Sequence, residues 1–319
     1  MILLLQYTLI FASVLLLVAL GGCFSEHSGI INIGLEGIMV LGALGGALTM
    51  KFLPADTPAL AMVLLVILAS MALGVIFSLL LAVAAVNFNA DQTLVGTAMN
   101  LLGVAAATVF VKAMNTAESV DNVSSTIQYI SAKNAFLCRI GGFDFNWFML
   151  VALIALVLSY IVLYKTRFGL RLCACGEHPQ AADSVGINVY KMRYAGTTIS
   201  GALAGMGGFV YSLTTANCTA NWDVAGFGFL ALAVMIFGNW KPLNIAGASL
   251  LFGLFKCIAA SYSSIDINGD GVYLLADLGI SAHFYRMLPY LITLIVLAFT
   301  SKNSRAPKAE GIPYDKSTR

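Results

Sequence analysis

Ile31-Asn32-Ile33-Gly34-Leu35-Glu36-Gly37-Ile38-Met39 sets an amide and a carboxylate inside a run that otherwise suits only a lipid bilayer. Asn32 and Glu36 are four residues apart, so a continuous helix places both on one face, with about 5–6 Å between their Cβ atoms. Polar groups at membrane depth are costly and usually face a bundle interior or a wet cavity. Gly29, Gly34, Gly37, Gly42, Gly45 and Gly46 flank the pair and permit a tight bend or a close helix contact. Two roles fit: a structural pair tying helices together, and a place beside a transport path.

Composition agrees with a bilayer. The chain of 319 residues is 60% hydrophobic and 10% charged, with a mean hydropathy of +0.90. A soluble domain carries roughly 25% charged residues. The expectation is an all-α integral membrane protein, a helical bundle of nine spans, or eight to ten, each needing about 20 apolar residues. The net charge of +2 gives no sign of a nucleic-acid partner. The six cysteines, Cys23, Cys138, Cys173, Cys175, Cys218 and Cys257, sit at no metal-binding spacing. A Cys138–Cys218 disulfide is conceivable, with free thiols the plainer expectation. The first apolar run has no preceding positive charge and reads as a span, not a cleaved signal.

Apolar runs place spans near 3–21, 30–50, 59–86, 93–114, 146–164, 194–216, 224–238, 244–263 and 286–300, the second and third being the best candidates for a break or tilt. Lys165, Arg167, Arg171, Lys191 and Arg193 crowd one loop, and Lys302, Arg305, Lys308, Lys316 and Arg319 the tail. Positive charge marks the cytoplasmic side, so the N-terminus and loops 115–145 and 264–285 fall outside, and the turn at 87–92 inside. A transmembrane domain over 1–301, with its cytoplasmic loop at 165–193, is thus followed by a polar cytoplasmic tail, 302–319, whose two prolines and charges suit disorder. In the sixth span Gly196, Ser200, Ala204 and Gly208 recur every four residues beside the GxxxG of Gly201 and Gly205, a helix-packing pattern.

The basic loop contains Gly176-Glu177-His178-Pro179-Gln180-Ala181-Ala182-Asp183-Ser184-Val185-Gly186. Pro179 opens and Gly186 closes a helix of about two turns, either a docking element or a plain cap on the bundle. Gln180-Ala181-Ala182 with Gly186 resembles the front of the EAA---G loop of ABC-importer permeases, with Gln180 replacing the usual Glu and the later half missing. Phe24-Ser25-Glu26-His27-Ser28-Gly29 leading into Ile31–Gly37, and Phe284-Tyr285-Arg286-Met287-Leu288-Pro289-Tyr290 through Ala306-Pro307-Lys308-Ala309 and Ile312-Pro313-Tyr314, resemble the nucleoside and simple-sugar branch of the branched-chain amino acid/ribose permease superfamily. The likeness touches both ends and the middle of the chain.

That resemblance implies a transport subunit of an ATP-driven importer in the bacterial cytoplasmic (inner) membrane, for nucleosides or a related simple sugar. It implies a second homologous permease, an ABC ATPase carrying ATP and Mg, and an extracytoplasmic solute-binding lipoprotein. By the same resemblance Pro179–Gly186 is the coupling helix, with Ala181, Ala182 and Val185 as small contacts and Glu177, Gln180 and Asp183 as polar rim. Asp91, in the Asn87–Gln92 turn, belongs to a second contact. No G-x-x-x-x-G-K-[ST] occurs, so ATP phosphates are not cradled by this chain and no catalysis or cofactor is expected on it.

Asp266, Asn268, Asp270 and Asp277 follow the spacing of an EF-hand calcium loop, but Asp stands at its twelfth position, so the bland alternative is an Asn-Gly-Asp-Gly turn. The best candidates for the solute path are Asn32, Glu36 and Asn100, then Thr197 and Thr198, whose hydroxyls commonly bond their own helix. Asp223 is placed at an external end, and Tyr211, Phe227 and Phe229 are rings available to a nucleoside. No intramembrane cation is evident for an amino-acid carboxylate, which favours a neutral solute. Rival readings are a ribose or branched-chain amino acid permease, and a stand-alone ion-coupled carrier using Glu36.

Overall fold

A computed structural model describes residues 2–54, 56–127, 136–140, 143–214, 223–262, 281–300 and 305–316. Helices dominate: α1 (Ile2–His27), α2 (Leu35–Phe52), α3 (Ala59–Asn87), α4 (Gln92–Glu118), α5 (Trp147–Lys165), α6 (Arg167–Glu177), α7 (Pro179–Ser184), α8 (Val189–Thr214), α9 (Phe227–Phe237), α10 (Pro242–Ser261) and α11 (Ala282–Thr300). Among the described residues, six helices are long and apolar enough to cross a bilayer: α1 to α5 and α10. One antiparallel hairpin, β1 (Leu137–Ile140) with β2 (Phe143–Asn146), departs from the all-helical expectation.

The bundle is built around α1. That helix is hydrophobic on every side, as a helix covered on all faces should be, and 94% of its apolar window is buried. It packs against α8, α10, α9 and α5, while α8 also packs against α2 and α3. Small residues bring α8 into contact with both. A Cβ on Gly205 would lie 2.5 Å from Ser70 O and 3.0 Å from Gly74 Cα, and one on Gly42 would enter the Gly205 backbone. Gly201 abuts Gly74 and Ser78, and Gly208 abuts Met39. Outward, α3 shows Leu60, Leu64, Leu68, Ile76 and Leu80, and α5 shows Leu153, Ile154, Val157 and Leu158, aliphatic surfaces fit for lipid.

The third apolar run is one unbroken helix of 29 residues, about 43 Å at 1.5 Å per residue, longer than a bilayer core of about 30 Å; of the break and the tilt expected there, the break is absent. The second run is broken, and its break corrects one reading. Asn32 does not share a helical face with Glu36: residues 30–34 are non-helical, and α2 begins at Leu35. The other shortfall is α9, whose 11 residues reach only about 16 Å, half a crossing.

Contacts at one end of the bundle define a basic face. Tyr194 OH donates to Asn87 Oδ1 at 2.9 Å, joining the end of α3 to the start of α8. Trp240 Nε1 donates to Glu26 Oε2 at 2.5 Å, joining the α9–α10 turn to the end of α1. Residues 305–316 also lie here, with Ala309 and Tyr314 buried. The tail therefore packs on the bundle over these residues, against the expectation of disorder. At the opposite end Lys51 and Glu118 form an ion pair of 2.5 Å between α2 and α4.

Candidate transport site and coupling face

The break before α2 exposes backbone groups at membrane depth, and buried side chains clasp them. Asn100, on α4, accepts from Gly37 N at 2.9 Å and donates to Ile33 O at 3.0 Å. Gln92 Oε1 accepts from Ile31 N at 2.8 Å. Asn32 donates to Ser200 Oγ on α8 at 2.9 Å, while its Oδ1 is buried without a partner. An amide both donates and accepts, so it replaces two missing helix bonds at once. Leaving such groups unpaired costs about 1–3 kcal/mol each.

Glu36 serves the second discontinuity. Its Oε1 accepts from Gly226 N at 2.8 Å and its Oε2 from Gly228 N at 2.6 Å. Both donors belong to the first turn of α9, where the helix dipole also favours an anion. The fit needs glycine, because a Cβ on Gly228 would stand 2.5 Å from Glu36 N. Asn32, Glu36 and Asn100 are thus brought together around two chain breaks, each spending its polar atoms chiefly on backbone or on a neighbouring helix. Thr197 Oγ1 and Thr198 Oγ1 bond Arg193 O and Ala195 O of their own helix, each at 2.9 Å.

Around the α9 N-terminus stands a group that sequence reasoning missed in part. Tyr211 and Phe227 have ring centroids 4.7 Å apart. Lys256 Nζ lies 4.6 Å from the Phe227 centroid and 5.8 Å from that of Tyr290. Asp223 accepts from Ala225 N at 2.7 Å. Lys256 is a cation within an apolar helix, α10, which the sequence reading did not weigh against a carboxylate solute; a lone Lys five residues from the end of that helix is its only sequence signal. Arene faces attract a desolvated ammonium group, which accounts for its tolerance there.

At the basic face, α6 is capped by Thr166, whose Oγ1 accepts from Gly169 N at 3.1 Å. Pro179 is the first residue of α7, and Gly186 follows with φ +85°, a left-handed value that ends the helix. Gln180, Ala181, Val185 and Glu177 are exposed, with Val185 at 75%, and Asp183 is half-buried. Ala182 faces inward, 4% exposed, and packs with Cys175, Val189 and Tyr314. Burial pushes the Cys173 and Cys175 thiols up to about 11. Asp91 caps α4, accepting from Thr93 N at 2.8 Å and Leu94 N at 3.0 Å.

The calcium-loop candidates Asp266, Asn268, Asp270 and Asp277 lie outside the described residues, as does Cys218. Cys23, Cys173, Cys175 and Cys257 are free thiols.

Residues 4–297 match the family model described as branched-chain amino acid transport system / permease component. The chain is 39% identical over 318 residues to the guanosine ABC transporter permease protein NupQ of Bacillus subtilis, covering 98% of this chain and 96% of that protein. It is 39% identical over 317 residues to the nucleoside ABC transporter permease protein NupC of Lactococcus lactis, covering 97% and 95%. With NupB, a nucleoside ABC transporter permease protein of the same Lactococcus strain, identity is 24% over 315 residues, covering 96% and 82%. A bundle of apolar helices matched across nearly all its length by these permeases belongs to the branched-chain amino acid transport permease family of ABC transporters.

Proposed function

We propose that this chain is one permease subunit of an ATP-driven nucleoside importer in a bacterial cytoplasmic membrane. The similarity to NupQ and NupC, which runs through nearly the whole chain, carries the choice of solute. The same Lactococcus strain has NupB as well as NupC, and the unequal identities of this chain to the two favour pairing with a second, divergent permease. An ABC ATPase would bind ATP and Mg, and an external lipoprotein would deliver the solute.

On this reading the chain makes eight full crossings and one half-crossing. α1 runs toward the basic face, α2 away, α3 toward and α4 away; α5 returns, α6 and α7 lie on that face, α8 leaves, α9 returns by a half-crossing, α10 leaves and α11 returns. With the basic face cytoplasmic, the N-terminus is outside and residues 305–316 inside. In this arrangement α7 offers Gln180, Ala181 and Val185 to the ATPase, with Glu177 and Asp183 at the rim, while Pro179 and Ala182 seat the helix and Gly186 ends it. Ala182 therefore acts from behind the contact, not in it. The solute passes beside the α9 N-terminus, where the buried rings of Tyr211 and Phe227 back the wall and Asn32, Glu36, Asn100, Thr197 and Thr198 support it.

Uptake of radiolabelled guanosine by vesicles bearing the complete transporter tests this, with and without Ala181→Arg. ATP-dependent uptake that collapses in the variant, together with loss of ATPase from the membrane, is expected. Guanosine uptake that needs no ATPase would replace the importer with a stand-alone carrier. ATP-driven uptake of a sugar but of no nucleoside would keep the machine and change its cargo.

A further inference from the structure

Residues 305–316 have the composition of a free tail and are pinned at successive points instead. Arg305 N donates to Asn239 Oδ1 at 2.8 Å. Ala309 N donates to Gly176 O at 2.8 Å and Gly311 N to Gly29 O at 3.3 Å. Arg193 Nη2 donates to Ile312 O at 2.9 Å, and the Arg193 guanidinium lies 6.0 Å from the Tyr314 ring centroid. The Tyr314 and Tyr190 centroids are 5.4 Å apart.

The places pinned are not arbitrary. Gly176 is the next-to-last residue of α6, three positions before α7 begins. Gly29 opens the non-helical passage into α2, and Asn239 follows α9. Tyr314 closes the small buried cluster against which Ala182 seats α7. One short segment thus touches the start of the passage into α2, the turn after the C-terminal end of α9, and the back of α7. Arg193 anchors it from within the bundle: its side chain is 1% exposed and its Nε has no partner. A buried arginine with no carboxylate bonded to it, among the described residues, is costly, so its bond to Ile312 O is a large part of what keeps it there. The family match ends at residue 297, short of this segment.

We propose that residues 305–316 form a transmission strap, in which Tyr314, backed by Arg193, positions α7 and carries its displacement to the α2 break and to α9. This rests on α7 being the ATPase contact. An exposed helix of 6 residues with few bundle contacts of its own moves the bundle only as well as its mounting is stiff. Tyr314 and the strap's backbone bonds supply that stiffness. They are positioning residues and touch no solute.

The test uses the complete transporter, with both permeases, ATPase and solute-binding protein, in membrane vesicles. Three quantities are read: ATPase retained, ATP hydrolysed and nucleoside taken up. Tyr314→Ala should retain the ATPase and hydrolyse ATP, while uptake per ATP falls about tenfold, within the range by which mutations along a coupling route change coupling. Tyr314→Phe should restore uptake, because the ring does the packing. Gly311→Val is the second variant: Gly311 has φ +74°, a left-handed value that strains a β-branched residue, so the strap is disturbed at its bond to Gly29 without any change on α7. It should lower the same ratio. A wild-type ratio in Tyr314→Ala and Gly311→Val overturns the strap. Loss of ATPase from both also overturns it, by making the segment part of the docking surface. Retention of the ATPase by Ala181→Arg would instead refute the docking role of α7, a separate failure.

Discussion

The two chain breaks inside the bundle and the proposed coupling face at its end solve opposite problems with similar residues. At the breaks, Asn100, Gln92 and Glu36 are spent on backbone groups that have lost their helix partners. At the basic face, Gln180 and Glu177 are exposed, and α7 presents groups that nothing among the described residues covers. A polar residue in the first region is needed for the fold to exist, and in the second for the fold to be used. Their mutational signatures should therefore separate.

The sharpest way to break that contrast is Asn100→Leu. It strips partners from Ile33 O and Gly37 N together, and about 3 kcal/mol of stability should be lost. Thermal unfolding in detergent would register it, and an unchanged melting temperature would mean that water reaches the break. Glu36→Gln comes next. The amide keeps one acceptor and turns an NH2 toward a backbone N–H, so about 1–2 kcal/mol should go, with uptake reduced as α9 loosens. Full stability and transport would remove Glu36 from the structural set. Gly205→Ala inserts a methyl 2.5 Å from Ser70 O and should cost a similar amount by forcing α8 from α3; recovery by Ser70→Gly is not expected, because the clash is with backbone.

Val185→Asp should do the reverse. Melting should move within about 0.5 kcal/mol of wild type, as for exposed sites generally, while ATPase binding and uptake fall. A stability loss comparable to that of Asn100→Leu would erase the distinction between the regions.

The smallest effect concerns the thiols of α6. Cys173 and Cys175 ionise near 11 instead of the ordinary 9.0. Because the raised value holds the neutral form, their labelling by iodoacetamide should keep climbing as pH passes 9. The folded state holds more protons than the unfolded chain between those values, so this region loses stability as pH rises through that window. Labelling that levels off near pH 9 would show both thiols solvated.

How much of this was legible in sequence depends on the range of the interaction. Apolar runs located the helices because a span needs only local composition, and Pro179 with Gly186 bracketed α7 by backbone rules alone. Asn32 and Glu36 stood out for the cost of their placement, but helical spacing assigned them the wrong geometry, since the break at 30–34 is held by Gln92 and Asn100 from another helix. Ala182 was read as a contact because no local rule says which side of a two-turn helix meets Tyr314, more than a hundred residues away. The tail looked disordered for the same reason: its charges are local, and Asn239, Gly176 and Gly29 are not. Lys256 is not legible as a buried cation because its tolerance comes from the rings of Phe227 and Tyr290, distant in sequence.

The burial of α1 has a consequence for how such a chain is made. Of the helices described, α1 is made before the others and is the most deeply buried of the six long apolar ones, and Trp240, which bonds its Glu26, emerges more than two hundred residues later. Until α8, α9 and α10 arrive, α1 waits in the bilayer with that carboxyl group unmatched. Assembly is then late and non-local, and mutations in α10 should be felt first as degradation of a chain whose beginning was already inserted.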